Sequence, residues 1–196
     1  IYAAPGTYPV TLIVFSGLGC SDTITLNHEV FPIPTAIFSA DTVCFGNPTN
    51  FDATASIGPP TTYFWDFGDG NTDNTNNPTP VHLYATADTF TVTLIAGFGT
   101  TGCSDTTNLD VIVRETPVAA FVADTICLNN PTTFTDQSVN NFPNQWTWDF
   151  GDGNGSNQQS PTNLYTSAST FNVQLVVENT FCCIDSVTNP LVVEPL

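Results

Sequence analysis

The chain repeats its own sequence at a spacing of about 83 residues, and this limits its fold more than any other feature. The segment PTAIFSADTVCFGNPTNF (34–51) returns as PVAAFVADTICLNNPTTF (117–134), and Trp65 returns as Trp148 at the same spacing. A chain that carries one pattern twice is expected to build one folding unit twice. We therefore expect two copies of a small domain rather than one large domain.

The first part of the chain matches only the last third of such a copy. The opening IYAAPGTYPVTL matches HLYATADTFTVTL (82–94), and GCSDTITL (19–26) matches GCSDTTNL (102–109). We name residues 1–32 the hairpin segment, 33–115 repeat 1 and 116–196 repeat 2. The hairpin segment is predicted to be the last two strands of a preceding repeat. Since an isolated two-stranded hairpin is marginal in water, we expect an earlier part of the polypeptide or a second chain to complete it.

Each repeat predicts short β-strands and no helix. Stretches such as TYFWDF and TFTVTLIAGF alternate in hydrophobicity or are rich in β-branched and aromatic residues, with Gly, Pro, Asn and Asp between them. About seven such strands in some 80 residues are typical of an immunoglobulin-like sandwich. The predicted fold is all-β, with tandem Ig-like β-sandwiches of about seven strands each, arranged end to end.

The charge of the chain excludes several classes of partner. The chain holds 18 Asp and Glu against one Lys or Arg, a formal net charge of −17, and Arg114 is its only fixed cation. Binding to nucleic acid or to an anionic membrane surface needs several basic side chains, so neither is expected. No apolar run approaches the roughly 20 residues that span a bilayer, so no membrane insertion is expected.

The motif YFWDFGDGNTDN (63–74) returns as WTWDFGDGNGSN (146–157). We predict that Trp65 and Trp148 anchor the two cores and that the motif aspartates bond backbone N–H groups in a turn. The motif residues are Trp65, Asp66, Gly68, Asp69, Gly70, Trp148, Asp149, Gly151, Asp152 and Gly153. Two alternatives stay open, a calcium site at Asp66, Asp69, Asp149 and Asp152 or a carboxylate pair for acid–base catalysis. Calcium needs six to eight oxygens, and catalysis needs an acid with a raised pKa, so we expect no enzyme and no cofactor beyond the calcium alternative.

These residues resemble the polycystic-kidney-disease (PKD) repeat, whose pattern is W-D-F-G-D-G followed by H-x-Y-x-x-x-G-x-Y-x-V-x-L. Asp88 and Ser169 stand where the family usually has Gly, and Asn163 replaces the His found at His82. The resemblance implies an Ig-like sandwich that serves, usually in tandem, as an extracellular spacer or interaction module. Tyr84 and Tyr165 are expected to form a corner bond to the backbone, as in related sandwiches.

Six cysteines in an acidic chain without Lys predict an oxidising, extracellular setting. Zinc is disfavoured because the single close pair, Cys182 and Cys183, is too tight for a zinc knuckle. The cysteines are Cys20, Cys44, Cys103, Cys127, Cys182 and Cys183.

Three disulfide patterns compete. Pairing Cys20 with Cys44 and Cys103 with Cys127 is rejected unless the junction folds back, since the extended residues between the partners span about 50 Å. Pairing Cys44 with Cys103 and Cys127 with Cys183 keeps each bond within a repeat, but Ig topology places those loops at opposite ends of a sandwich. We favour Cys44 with Cys183 or Cys182, between repeats. The cysteine of that pair left over is expected to be a buried free thiol.

Some hydroxyl side chains are candidates for covalent glycans. Thr23, Thr42, Thr106, Thr125 and Ser186 each follow Asp and precede an aliphatic residue or Thr. This resembles a short O-glycosylation motif of some secreting bacteria, although Asp-Thr is also ordinary strand-entry chemistry. Asn154 begins an N-glycosylation sequon, at a turn where Asn-Gly is common anyway. An intact mass without added hexose on native material would remove the O-glycan hypothesis.

The sequence favours a structural protein, a segment of an extracellular tandem-repeat stalk, adhesin or filament on a bacterial cell surface. Its expected partners are further repeats of the same protein or identical chains in a fibre. The alternative is a pair of accessory modules of a secreted hydrolase that bind polysaccharide or a collagen-like substrate. That alternative predicts an exposed planar row of aromatic rings, for which Trp146 is the best candidate.

Overall fold

The computed structural model describes residues 1–99, 102–124, 126–140 and 143–195. Within these ranges all regular secondary structure is β-strand. The hairpin segment holds β1 (Gly6–Phe15) and β2 (Ser21–Val30). Repeat 1 holds β3 (Ser39–Ala40), β4 (Val43–Cys44), β5 (Thr49–Asp52), β6 (Thr62–Asp66), β7 (Thr72–Asp73), β8 (Val81–His82), β9 (Thr89–Gly97) and β10 (Ser104–Arg114). Repeat 2 holds β11 (Phe121–Ala123), β12 (Ile126–Cys127), β13 (Pro131–Asp136), β14 (Gln145–Asp149), β15 (Gly155–Ser156), β16 (Thr162–Leu164), β17 (Thr170–Glu178) and β18 (Ile184–Glu194).

The two repeats have the same sheet topology. Repeat 1 pairs its strands as β4-β10-β9-β6-β7 and β3-β5-β8, and repeat 2 pairs its strands as β12-β18-β17-β14-β15 and β11-β13-β16. In each repeat the first strand is split, so that β3 and β11 join the smaller sheet while β4 and β12 run parallel to the last strand of the larger one. The all-β class and the tandem Ig-like units predicted from the sequence are therefore confirmed.

A tryptophan lies at the centre of each core. In repeat 2, Trp148 is 2% exposed, and its ring centroid lies 5.1 Å from that of Phe121 and 5.4 Å from that of Phe134. In repeat 1, Trp65 is fully buried, 5.1 Å from Phe38. Aromatic rings bury large areas and gain further from tilted and edge contacts. These residues join the two sheets of a repeat because Phe134 and Trp148 come from different sheets.

The hairpin segment has no such core. β1 and β2 pair antiparallel from Gly6 opposite Val30 to Phe15 opposite Ser21. Val10 and Leu12 are 47% and 60% exposed, whereas Val92 and Leu94, at the matching positions of repeat 1, are fully buried. Val10, Leu12, Ile24 and Leu26 form an apolar face of the hairpin. They line an open groove of about 520 Å³. This face therefore carries core-like residues, and within the described ranges β1 and β2 form a two-stranded sheet without a second sheet of the kind that covers the core of repeat 1.

The chain divides into two compact units, and their boundary does not coincide with the sequence repeats. The first unit comprises residues 1–41, 48–82 and 90–111. The second comprises 42–47, 83–89 and 112–196. The segment of repeat 1 that carries Cys44 therefore belongs to the same compact unit as the whole of repeat 2. None of the described residues forms a helix with the length and hydropathy of a membrane span.

Candidate functional site

The motif aspartates fold the backbone of their own turns. Asp66 accepts a hydrogen bond from the backbone N–H of Gly68 (3.0 Å), and Asp69 accepts one from Asn71 (2.9 Å). In repeat 2 the same bonds run from Gly151 to Asp149 (2.9 Å) and from Asn154 to Asp152 (2.9 Å). Side-chain carboxylates of Asp satisfy turn N–H groups two residues ahead in this way. All four carboxylates thus have a structural task.

Glycine is required between these aspartates. Gly68 has φ of 78°, and a Cβ there would lie 2.5 Å from the carbonyl oxygen of Thr91. Gly151 has φ of 75°, and a Cβ there would lie 2.7 Å from the carbonyl oxygen of Asn172. A side chain would meet both the left-handed backbone and the neighbouring strand. The motif is therefore a turn pressed against the long strand β9 or β17.

The second aspartate of each motif also bonds a residue of the smaller sheet. Asp69 Oδ2 lies 2.8 Å from Nε2 of His82, whose ring stacks on Phe67 at 4.2 Å. In repeat 2 the Asn163 side chain donates to Asp152 Oδ2 at 2.8 Å. The replacement of His by Asn therefore keeps the link between the turn and the smaller sheet. This arrangement gives His82 a structural role in the turn.

The electrostatics of these turns oppose acid catalysis. Burial would raise the pKa of the Asp69 carboxyl, but hydrogen bonds from His82 and Asn71 outweigh it and hold the pKa below its usual value. Asp152 has the same balance, in which hydrogen bonds from Asn163 and Asn154 overcome burial and lower its pKa. A general acid at neutral pH needs the opposite shift. Both groups are ionised hydrogen-bond acceptors instead.

The same hydrogen bonds leave a poor donor set for calcium. The carboxylate oxygens of Asp69 and Asp152 face N–H donors, whereas a calcium ion needs six to eight oxygens turned toward one point. In the described part of the chain no group of three or more His, Cys, Asp or Glu side chains is arranged to hold a metal ion. The turns therefore do not fit the calcium alternative.

Tyr165 makes the corner bond predicted for repeat 2. Its hydroxyl donates to the carbonyl oxygen of Phe150 at 3.0 Å, and its side chain is buried. Burial is the main cause that raises the pKa of Tyr165 to about 12. The hydroxyl therefore stays protonated and can donate at any physiological pH. Tyr84, at the matching position of repeat 1, is likewise buried.

The indole N–H groups of all three tryptophans are bonded. Trp65 donates to Asn77 O and Trp148 to Gln158 O, both at 2.9 Å. Trp146, the sequence candidate for glycan binding, donates to Asp136 Oδ2 at 2.8 Å and packs, half-buried, against the core of repeat 2. The Asp136 partner lies ten positions away, and no pattern in the sequence indicates it. Trp146 is therefore fixed by its own domain.

One disulfide links the two repeats. Cys44 is bonded to Cys183, with Cα atoms 5.6 Å apart and a sequence separation of 139. Both cysteines belong to the second compact unit. Of the pairings weighed from the sequence, the favoured bond between repeats is formed, and the pairs Cys44–Cys103 and Cys127–Cys183 are not. The cysteines without a disulfide are Cys20, Cys103, Cys127 and Cys182.

The expectation of a buried leftover thiol is wrong, because Cys182 is exposed. Cys182 has φ of 62°, the left-handed turn position of its loop, while the next residue, Cys183, is fully buried. The pKa of the Cys182 thiol is raised by its hydrogen bond to Glu178 and by the charge of that carboxylate. A thiol with a raised pKa is a weak nucleophile at neutral pH. The buried Cys183 therefore forms the disulfide, while the exposed Cys182 occupies the left-handed turn position beside it.

Other contacts in the second compact unit surround the disulfide. The Arg114 guanidinium lies 3.8 Å from the ring centre of Phe181, and the Asn179 side chain donates to the carbonyl oxygen of Glu115 at 3.1 Å. Asn179 is 1% exposed, and its side-chain oxygen accepts from the N–H of Phe181 and of Cys183. The only fixed cation of the chain thus contacts an aromatic ring beside the cross-link. Sequence reasoning gave Arg114, Asn179 and Phe181 no role.

The family model of the PKD domain matches residues 29–113 and 114–193. The chain belongs to the PKD domain family. Its two matched segments cover most of the sequence, which confirms the family resemblance seen in the motif. PKD domains are generally non-catalytic, and the matches indicate no enzyme family.

Solved structures similar to this chain include two PKD domains of the same genus. The PKD1 domain of Vibrio anguillarum Epp is 28% identical, covers 41% of this chain and 96% of its own, and has a TM-score of 0.39. The PKD1 domain of the Vibrio cholerae metalloprotease PrtV is 28% identical, covers 40% and 98%, and has a TM-score of 0.37. The fibronectin(III)-like modules of Clostridium thermocellum CbhA are 13% identical, cover 81% and 95%, and have a TM-score of 0.41. None of these likenesses by itself assigns a function.

The candidate glycosylation residues of the two PKD domains and the hairpin segment are accessible where the structure describes them. Thr23, Thr42, Thr106 and Ser186 are exposed, and so is Asn154. Thr125 lies outside the described residues. Exposure is a requirement for modification and also the ordinary state of Thr on a strand edge. Glycosylation therefore stays a prediction.

Proposed function

We propose that this chain is a load-bearing segment of an extracellular array of PKD domains, a stalk, adhesin or filament on a bacterial cell surface. The observation that carries the proposal is the disulfide between Cys44 of repeat 1 and Cys183 of repeat 2. Structural disulfides persist in oxidising compartments outside the cytosol. A covalent bond from one repeat to the next suits a protein whose task is to transmit force.

The chemistry of the chain supports a structural role. The motif carboxylates hold turns, and hydrogen bonds lower the pKa values of Asp69 and Asp152 against the effect of burial. The net charge of −17 favours solubility and repels like chains away from specific contacts. Residues with catalytic potential are thus used for folding, which is why we propose no enzymatic activity.

The hairpin segment supports membership in a longer assembly. Its apolar face includes Val10 and Leu12, whose counterparts Val92 and Leu94 on β9 are buried in repeat 1, and no second sheet of the described residues pairs with or covers it. Further repeats of the same protein or identical chains would supply that cover, and they are the partners we propose. Exposed apolar faces of this kind mark interaction sites in soluble proteins.

Retention on an insoluble ligand distinguishes this proposal from that of an accessory module of a hydrolase. We expect the chain to stay in solution when mixed with insoluble cellulose, chitin or collagen, because Trp146 packs half-buried against the core of repeat 2 and is held in place by its bond to Asp136. We also expect electron micrographs of native material to show long fibres. Specific retention that is lost in Trp146→Ala, while a Trp146→Phe control still binds, would establish the accessory role instead.

A further inference from the structure

The loop between β1 and β2 of the hairpin segment has the same hydrogen-bond pattern as the loop that carries Cys183. In residues 179–183, the N–H of Asn179 donates to Cys183 O (3.1 Å) and the N–H of Cys182 donates to Asn179 O (3.1 Å). The Asn179 side chain accepts from the N–H of Cys183 (3.1 Å). We name residues 16–20 and 179–183 the late loops.

The hairpin late loop makes the same three bonds with other residues. The N–H of Ser16 donates to Cys20 O (2.8 Å), and the N–H of Gly19 donates to Ser16 O (3.1 Å). The Ser16 hydroxyl accepts from the N–H of Cys20 (3.2 Å). Gly19 has φ of 86°, in the left-handed region that Cys182 occupies in the other loop. Cys20 therefore stands in the position of Cys183, but it is exposed and its thiol is free.

The other half of the disulfide junction is also present twice. In residues 44–47, the N–H of Phe45 donates to Arg114 O (2.7 Å) and the N–H of Asn47 donates to Cys44 O (3.1 Å). In residues 127–130, the N–H of Leu128 donates to Glu194 O (2.8 Å) and the N–H of Asn130 donates to Cys127 O (3.2 Å). We name these two segments the early loops.

The strands before the early loops match as well. Cys44 pairs in parallel with Arg114 on β10, and Cys127 pairs in parallel with Glu194 on β18. Cys127 therefore stands in the position of Cys44, exposed and without a disulfide. The chain thus carries one completed junction, Cys44–Cys183, and one unused copy of each of its halves.

We propose that Cys127 of one copy of this chain forms a disulfide with Cys20 of a second copy. The bond joins an early loop to a late loop, as Cys44–Cys183 does. Because the two surfaces are different, the contact is heterologous and can repeat from copy to copy without closing. The inference rests on the proposed function, since it requires the oxidising surroundings of an extracellular array and names the partner of that array.

Cys103 is a poorer partner than Cys20. Its loop also returns a backbone bond, from the N–H of Phe98 to Cys103 O (3.0 Å), but that loop is one residue longer than the late loops. Cys182 is disfavoured because Glu178 raises the pKa of its thiol. These differences leave Cys20 as the free cysteine whose loop matches the one that already bonds Cys44.

The new junction would lack the cation–π contact of the old one. Leu18 and Glu194 stand where Phe181 and Arg114 form their cation–π pair. The junction between copies is therefore held mainly by its covalent bond, and we expect reduction to separate the chains. Formation of the bond between Cys127 and Cys20 needs an oxidant, and a small disulfide serves as one. Oxidised glutathione accepts two electrons from the Cys127 and Cys20 thiols, its own S–S bond breaks to give two glutathione thiols, and the two protein thiol protons are taken up in that product.

The test uses the full chain with Cys103→Ser and Cys182→Ser, which leaves Cys20 and Cys127 as its free thiols. After incubation with reduced and oxidised glutathione, electrophoresis without reductant is expected to show a ladder of dimers, trimers and longer species. A further Cys20→Ser or Cys127→Ser change is expected to leave monomers. An equal mixture of those two variants is expected to give dimers and nothing longer, because each supplies one half of the junction.

Peptide mapping of the ladder is expected to give the Cys20–Cys127 peptide. The proposal is overturned by monomers alone, by a bond between Cys20 and Cys127 of the same chain, or by dimers in either single variant. The ladder assay tests only the bond between copies and does not test the proposed function. A chain that forms no ladder can still bear load through Cys44–Cys183. Single-molecule extension of the same chain reports on that bond.

Discussion

Pulled by its two ends, the oxidised chain is expected to extend by roughly 500 Å less than a Cys44→Ser variant. The disulfide encloses a sequence separation of 139, and an extended chain spans at most about 3.6 Å per residue. Force applied to the ends passes through the Cys44–Cys183 bond and never reaches the enclosed residues. Single-molecule force spectroscopy measures this length directly, as the contour length gained on complete unfolding.

Two controls isolate the bond in that measurement. A Cys182→Ser chain should extend like the wild type, because Cys182 is a free exposed thiol next to the bonded Cys183. Reduction should lengthen the wild type to match Cys44→Ser. In the chain-entropy account, a loop of this size also stabilises the fold by about 5 kcal/mol. Equal contour lengths for the oxidised wild type and Cys44→Ser would show that the repeats are not cross-linked.

Replacing Trp65 by Ala is expected to unfold repeat 1. Trp65 is fully buried between the sheets, and its indole N–H satisfies the carbonyl oxygen of Asn77. Truncation of a buried Trp costs about 3–5 kcal/mol, against a total stability of about 5–15 kcal/mol for a typical domain. Urea denaturation followed by near-UV circular dichroism is expected to show the loss of one cooperative transition, with the transition of repeat 2 retained.

Trp146→Ala is the matched comparison for this prediction. Trp146 is half-buried at the margin of the core of repeat 2, and its loss leaves Asp136 with its bonds to Ser138 and Gln159. We therefore expect a cost of about 1–2 kcal/mol and two surviving transitions. If Trp65→Ala lowered the free energy of unfolding no more than Trp146→Ala does, Trp65 would not be the anchor of its core.

The repeat made the two cores predictable from sequence. A tryptophan within an alternating strand, followed by turn residues at a fixed spacing, indicates the buried face without knowledge of the partners. The sequence shows that Asn163 of repeat 2 replaces His82 of repeat 1, but it does not show which contact the replacement keeps. Only the structure shows that either side chain can bond the second aspartate of the motif.

The sequence reduced the number of plausible cysteine pairings but did not identify the one that forms. Ig topology favoured a bond between repeats, while two adjacent cysteines do not reveal which of them is buried and which lies in the exposed turn. Arg114 lies on β10 and contacts Phe181 in a much later loop, and Trp146 on β14 contacts Asp136 on β13. Such contacts depend on tertiary packing, so no local sequence pattern predicts them.

Peptide mapping of the disulfides in native protein, digested without reductant, is the decisive test of the cross-link between repeats. We expect a peptide that joins Cys44 to Cys183, because this cross-link is what makes the array a load-bearing structure. Recovery of Cys44–Cys103 and Cys127–Cys183 instead would mean that each PKD domain is closed on itself and that no disulfide carries load between the repeats.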